Sequence, residues 1–382
     1  MGVELLRDAL RQTVENGIFF DNASMGPVAP CVTEAINACM QRRQAMPMRY
    51  YQYADEIFPV CKSMLAELIG AQPDEIAFTE NVTYGINSIA GALPLREGDN
   101  VILCNREFPS NVYPWQRLEQ SRGVEARIIP HCGGGLTVAM LDQYADEHTR
   151  VVTVSSVEYA DGFAANLEEI GAWCRAHHAF FVVDCAQSLG VMPMDVQRYQ
   201  IDFLAGLSSK WLLGPFSTGF LYVRRELLPD LIPPFVGADS MQTSIDSPDY
   251  HFLLKEDASR FEGALPNAPG IAGLRASLLL MKKVGFENIY TSAWNISGYF
   301  IEQLRKLGII LAPCAMKDAE RSTIVSFLPP DPARAFHILK QNQVACSFRR
   351  GYIRTGIHGY NTIDEVDQVI CVLKNYLRDI GW

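Results

Sequence analysis

A chain of 382 residues, 48% hydrophobic and 20% charged, has ordinary globular composition and is long enough for two domains around a large core. Its formal charge of -10 argues against a sequence-independent nucleic-acid surface, which needs clustered positive charge to displace counterions, and favours small metabolites as partners. Ten cysteines show no C-x-x-C pair and no metal-ligand spacing, so no metal is expected and most of them read as buried, reduced thiols.

The first residues lack a charged-then-apolar leader, and no apolar run approaches the ~18 residues of a membrane span, so a cytoplasmic protein is expected. From about residue 70 to 225, β-rich runs alternate with helical stretches, the pattern of a mostly parallel sheet covered by helices. Early in this region Asn81-Val82-Thr83-Tyr84-Gly85 precedes an apolar helical run. A helix N-terminus with free N–H groups and the Thr83 hydroxyl is a natural phosphate cradle, although a plain N-cap explains the same residues taken alone. Strand-like runs follow at 101–104, 126–129, 151–157, 180–183 and 220–223, with a helix expected at 167–177.

The run that starts at Phe180 ends in a charge, Asp184, which must be paired, neutralised or functional if buried. Gln187 follows three residues later, where an amide can meet a ligand. Lys210 lies 26 residues after Asp184, beside the hydroxyls of Ser208 and Ser209 and between Gly206 and Gly214. A buried lysine with a depressed pKa can condense with an aldehyde, and a strand-end carboxylate can keep a pyridine nitrogen protonated. This pairing is what a pyridoxal phosphate enzyme needs, with Lys210 and Asp184 as its catalytic residues. No strand is followed by G-x-G-x-x-G, which disfavours a nicotinamide enzyme.

Residues 226–260 form a proline-bearing polar crossing and a plausible domain boundary. Helices are expected at 269–284, 290–307 and 364–377 within a smaller α+β C-terminal domain. Arg349 and Arg354 are candidates to grip a substrate carboxylate bidentately, whereas Arg350 reads as an ordinary surface arginine. The expected fold is α/β, with a large domain over 18–255 and a small one from 1–17 and 256–382.

These motifs, together with Phe20-Asp-Asn22-Ala-Ser24, Glu107-Phe-Pro-Ser-Asn111, Arg260-Phe-Glu262 and Tyr360-Asn-Thr362, make the chain resemble the class V aminotransferases. That group of fold-type I pyridoxal phosphate enzymes includes cysteine desulfurases, selenocysteine lyases and isopenicillin N epimerase-like proteins. The resemblance implies Lys210 as the Schiff-base lysine and Asp184 as partner of the pyridine nitrogen. It further implies Gln187 and Tyr159 near the ring oxygen, Phe108 against the ring, and Val82, Thr83, Ser208 and Ser209 toward the phosphate. Arg354, Arg349 and Asn22 would then face the substrate, in a homodimer with its site between subunits.

Departures from the resemblance bear on the reaction. Phe108 stands where desulfurases commonly stack a histidine, and it carries no proton. Tyr159 replaces an asparagine, and Leu265 replaces a threonine that often reaches the neighbouring subunit's phosphate. The desulfurases' nucleophilic cysteine has no counterpart between Arg349 and Arg354, where only Arg-Gly-Tyr-Ile stands, and Cys346 falls in a strand-like run. A persulfide-forming desulfurase is thereby disfavoured. The reading leans to β-elimination from a cysteine-like amino acid, with an aminotransferase or epimerase as alternative and a non-catalytic cofactor-binding protein further off.

Overall fold

The computed structural model describes residues 2–130, 134–242 and 250–382. Its centre is a sheet of seven strands: β1 (Ile76–Thr79), β2 (Asn100–Cys104), β3 (Glu125–Ile129), β4 (Thr149–Ser155), β5 (Phe180–Asp184), β6 (Phe203–Leu207) and β7 (Gly219–Val223). They lie in the order β1-β7-β6-β5-β4-β2-β3. Only β7 pairs antiparallel with its neighbours; the remaining ladders are parallel. Parallel sheets need cover on both faces, which explains why these strands read as near-continuous apolar runs.

Alternation along each strand divides the side chains between two cores. Phe181, Val183, Leu204, Phe220 and Tyr222 enter one, and Val182, Phe203, Ala205, Leu221 and Val223 enter the other. Fully burying a side chain of this size contributes roughly 1.5–3 kcal/mol. Helix Ala268–Val284 joins the first core through Ile271, Leu274, Leu278 and Met281, spaced three or four residues apart on one face.

A third core lies under a four-stranded antiparallel sheet in the order Ser347–Arg349, Tyr352–Gly356, Ile324–Leu328 and Ile310–Leu311. Helices Phe286–Lys306 and Ile363–Asp379 cover it. Ile18–Phe19 pairs in parallel with Val344–Ala345, and Phe20 enters this third core, so the N-terminal segment is sewn into the smaller sheet.

The expected helices at 167–177, 269–284, 290–307 and 364–377 correspond to Leu167–Ala176, Ala268–Val284, Phe286–Lys306 and Ile363–Asp379. The run at 151–157 stops as a strand at Ser155, and β1 and β6 did not stand out in the sequence. β6 reads Phe-Leu-Ala-Gly-Leu, two of whose five residues have little β preference, and the sheet around it decides its conformation. Cys346 lies between Val344–Ala345 and Ser347–Arg349 rather than within either. Nine cysteines are described, all free; seven are buried, Cys31 is half-buried and Cys371 exposed, while Cys132 lies outside the described residues. Among the described residues no helix is long and apolar enough to cross a membrane.

Candidate active site

At the carboxyl edge of the sheet, where open α/β sheets gather ligands, β5 ends on Asp184. Ser155 of β4 and Ala205 of β6 are its register partners on either side. Three residues beyond β6 comes Lys210, on a loop closed by bonds from Gly214 N to Ser208 O (2.9 Å) and from Ser208 N to Thr218 O (2.9 Å). The N-terminal segment clamps this loop: Gly26 N donates to Ser209 O at 2.8 Å. A Cβ on Gly26 would stand 2.0 Å from the carbonyl oxygen of Lys210, so only glycine permits this approach.

Trp211 anchors the other side of the lysine. Its indole donates to Gln187 Oε1 at 2.9 Å, and its carbonyl accepts from His358 Nε2 at 3.0 Å. Burial pushes His358 down to about 4, so its imidazole is neutral at ordinary pH.

A cavity of about 220 Å³ opens between these elements, lined by Val82, Thr83, Phe108, Tyr159, Asp184, Gln187 and Lys210 among others. Seven of the residues singled out in the sequence therefore meet around one space. Helix Val82–Ala92 points its N-terminus there, starting one turn earlier than its apolar run suggests. Asn81 caps it by accepting from Tyr84 N at 3.0 Å, and the Thr83 hydroxyl lies 2.6 Å from that of Ser110. Phe108 stands edge-on to Tyr159, with ring centroids 5.1 Å apart. Its own ring centroid is 5.8 Å from Lys210 Nζ.

Other predicted residues lie outside this lining. Ser208 turns its hydroxyl to Pro215 O, and Ser209 is buried. Asn22, fully buried, donates to Gly356 O at 2.8 Å and accepts from Tyr360 Oη at 2.9 Å. Arg354 is buried among Ser347 Oγ (2.9 Å), Tyr159 O (2.6 Å), Ser24 Oγ (2.7 Å) and Asp21 (3.5 Å). Arg349 is exposed, with one guanidinium donor on Phe348 O. Arg350, expected to be an ordinary surface arginine, instead reaches Tyr159 Oη at 3.1 Å.

The charges in the cavity are tuned. Burial lowers Lys210 to about 8; Asp184 opposes this by attraction, while the Arg354 and Arg349 guanidinium groups reinforce it by repulsion. An amine near 8 keeps a useful neutral fraction near neutral pH. Asp184 is raised by burial, against a 2.8 Å bond from Ala186 N and the attraction of Lys210.

Glu107 was visible in the sequence but carried no assigned role there. It is buried, accepts from Ser155 N (2.7 Å), Ser155 Oγ (2.6 Å) and Asn111 (2.9 Å), and is pushed by burial up to about 7. A carboxylate just past the apolar strand β2, with Asn111 one helical turn on, was the available signal.

A buried carboxylate, a lysine of depressed pKa, a flat aromatic wall and a helix N-terminus suit a phosphorylated pyridine aldehyde. Comparison with known proteins agrees. The family described as aminotransferase class-V matches residues 18–369. A probable cysteine desulfurase of Pyrococcus abyssi (strain GE5 / Orsay) is 28% identical over 384 aligned residues, covering 95% of each chain. Among solved structures, a mutant of C-DES with glycine covalently linked to the PLP cofactor superposes with a TM-score of 0.88 at 25% identity, covering 96% of this chain and 98% of that one. The complex of the cystine C-S lyase C-DES with its reaction product cysteine persulfide gives 0.87 at 26% identity, covering 94% and 98%. The chain belongs to the aminotransferase class-V family and is a pyridoxal phosphate-dependent enzyme of α/β fold.

Proposed function

We propose that the protein is a carbon–sulfur lyase that removes a sulfur substituent from the β-carbon of a cysteine-like amino acid. The observation that carries this reading is the composition of the cavity wall, which among the described residues holds Lys210 and Asp184 but no cysteine. Cys346, the thiol nearest in sequence to Arg354, is buried and its pKa is raised by burial to about 12, so it supplies no thiolate to accept sulfur. Sulfur would therefore leave as the departing group rather than as a protein persulfide. This accords with the C-S lyase described for C-DES.

When bound, pyridoxal phosphate supplies an aldehyde and an electron-accepting ring. Asp184 would hold a proton at the pyridine nitrogen, and Val82, Thr83 and the first-turn amides would receive the phosphate. Gln187 is pre-set for the ring by its bond to Trp211 and by donating to Ala23 O at 3.0 Å. Phe108 offers a face or edge to the ring without offering a proton. Arg354 would orient the substrate carboxylate, and Lys210, partly neutral, would take the proton from the α-carbon. Loss of that proton and of the β-sulfur leaves an enamine that hydrolyses to a 2-keto acid and ammonia, with no second substrate.

Site completion by a second copy is part of the proposal. Exposed Phe235 and Leu265, together with Tyr84, line a hollow of about 500 Å³ beside the helix N-terminus, a surface suited to a homodimer. Light scattering of the cofactor-loaded protein should give twice the chain mass. The lyase reading is tested by intact-mass analysis during turnover of cysteine: sulfide in solution with unmodified protein is expected, and a stoichiometric sulfur adduct on any cysteine would refute it.

A further inference from the structure

Between strands Ser347–Arg349 and Tyr352–Gly356 the chain reverses in two residues, Arg350 and Gly351, with Arg349 paired to Tyr352. Both central residues have positive φ, 49° and 90°. Glycine or asparagine suits such a turn, whereas arginine is disfavoured in the left-handed region. A side chain that stands where the backbone disfavours it points to a role for that side chain.

The turn carries Arg350 across to the large sheet. Its Nε donates to Tyr159 Oη at 3.1 Å and its two Nη groups to Asn105 O at 3.3 and 3.4 Å, with the guanidinium 5.5 Å from the Tyr159 ring centroid. Arg354, from the same hairpin, binds the carbonyl of Tyr159, so the tyrosine is held at both ends. Tyr159 in turn lines the cavity and abuts Phe108.

Three of the five guanidinium N–H donors of Arg350 have protein partners, which leaves two for an anion. Arg350 and Arg349 are both exposed, and neither has a carboxylate partner within salt-bridge distance among the described residues. The nearby Glu158 is buried, and burial with repulsion from Glu107 and Asp161 raises its carboxyl well above the usual range, against the attraction of Arg106 and Arg350. Arg106 is engaged with Asp161 at 2.5 Å. Two exposed cations therefore stand beside the cavity, Arg350 against its lining residue Tyr159 and Arg349 close enough for its charge to act on Lys210, on a protein whose formal charge is -10.

We propose that Arg350, with Arg349 beside it, receives an acidic group at the far end of the substrate side chain, selecting a cysteine whose sulfur carries an anionic substituent, as in a disulfide-linked or S-sulfonated amino acid. This rests on the lyase reading for the bond that breaks, but not for the group that binds. Selectivity is read first by binding, through spectral titration of the cofactor-loaded protein with 2-aminoadipate and with norleucine, which match in length and eliminate nothing. Wild type should bind the dicarboxylate at least tenfold more tightly, with the preference shrinking as salt rises. Arg350→Ala should reduce the ratio of the two dissociation constants at least tenfold, and Arg350→Lys should restore part of it; Arg350→Gln replaces the alanine variant if that one fails to fold. The kcat/KM ratio of S-sulfocysteine to S-methylthiocysteine should fall in parallel. No charge preference in wild type, or an equal weakening of both ligands in the variant, would overturn the proposal. A wild type that selects the dicarboxylate yet eliminates nothing would sink the lyase reading and leave this one standing.

Discussion

Lys210 and Asp184 act as a pair because each sits where water is scarce and the other is near. Burial lowers the lysine amine and the Asp184 charge raises it, leaving it at about 8, so the two shifts have separable signatures. In the cofactor-free protein, acylation of Lys210 followed by mass spectrometry should titrate with a midpoint near pH 8, well below that of an ordinary lysine. Asp184→Asn removes the raising charge and should move the midpoint lower still; a midpoint that stays put or rises would contradict the account. Arg354→Lys keeps the charge but not the fork that spans Ser347, Tyr159 and Ser24, and should raise KM at least tenfold with a smaller effect on kcat. An unchanged KM would remove Arg354 from substrate binding. Lys210 and Asp184 were legible in the sequence because each is marked within its own segment. Arg350 was not, since its partners Tyr159 and Asn105 lie 191 and 245 residues away in the chain.

Elements position these residues through close backbone contacts. The Gly26 approach to the lysine loop predicts that Gly26→Ala drives Ser209 and Lys210 away from Asp184. Cofactor affinity, measured by absorbance titration, should fall at least tenfold while far-UV circular dichroism stays native; wild-type affinity would show that the clamp does not set the lysine's place. Periodicity showed the long helices well, because a buried stripe every three to four residues survives in the sequence. It could not show that Ile18–Phe19 pairs with Val344–Ala345, or that Asp184 sits level with Ser155, because register is a property of two segments.

The whole molecule packs the lysine loop against the C-terminal region, and His358 marks that junction between Trp211 and Tyr360. Its folded pKa of about 4 lies below the usual 6.5, so the unfolded chain binds more protons between those values and stability falls as pH drops through that window. At about 1.4 kcal/mol per pH unit, the loss from this group is on the order of 3 kcal/mol. Glu107, raised by burial to about 7, works in the opposite direction, because the folded state binds more protons between the ordinary glutamate pKa and that value. Chemical unfolding of wild type and His358→Gln at several pH values isolates the histidine: wild type should lose about 3 kcal/mol more than the variant on going from pH 6.5 to 4. Parallel curves would mean that His358 is not buried neutral. The α/β class and the site's location were readable from alternating strand and helix patterns, whereas the threading of the N-terminal segment into the smaller sheet depends on contacts across the full chain.

Elimination at a carbon–sulfur bond is measured directly by incubating the cofactor-loaded protein with cystine and with cysteine in the absence of any keto-acid acceptor. Pyruvate, ammonia and a sulfur product should accumulate over many turnovers, with Lys210→Ala inactive. Accumulation of the aminated cofactor after one turnover, reversed by adding a keto acid, would make the protein a transaminase and rule out the lyase.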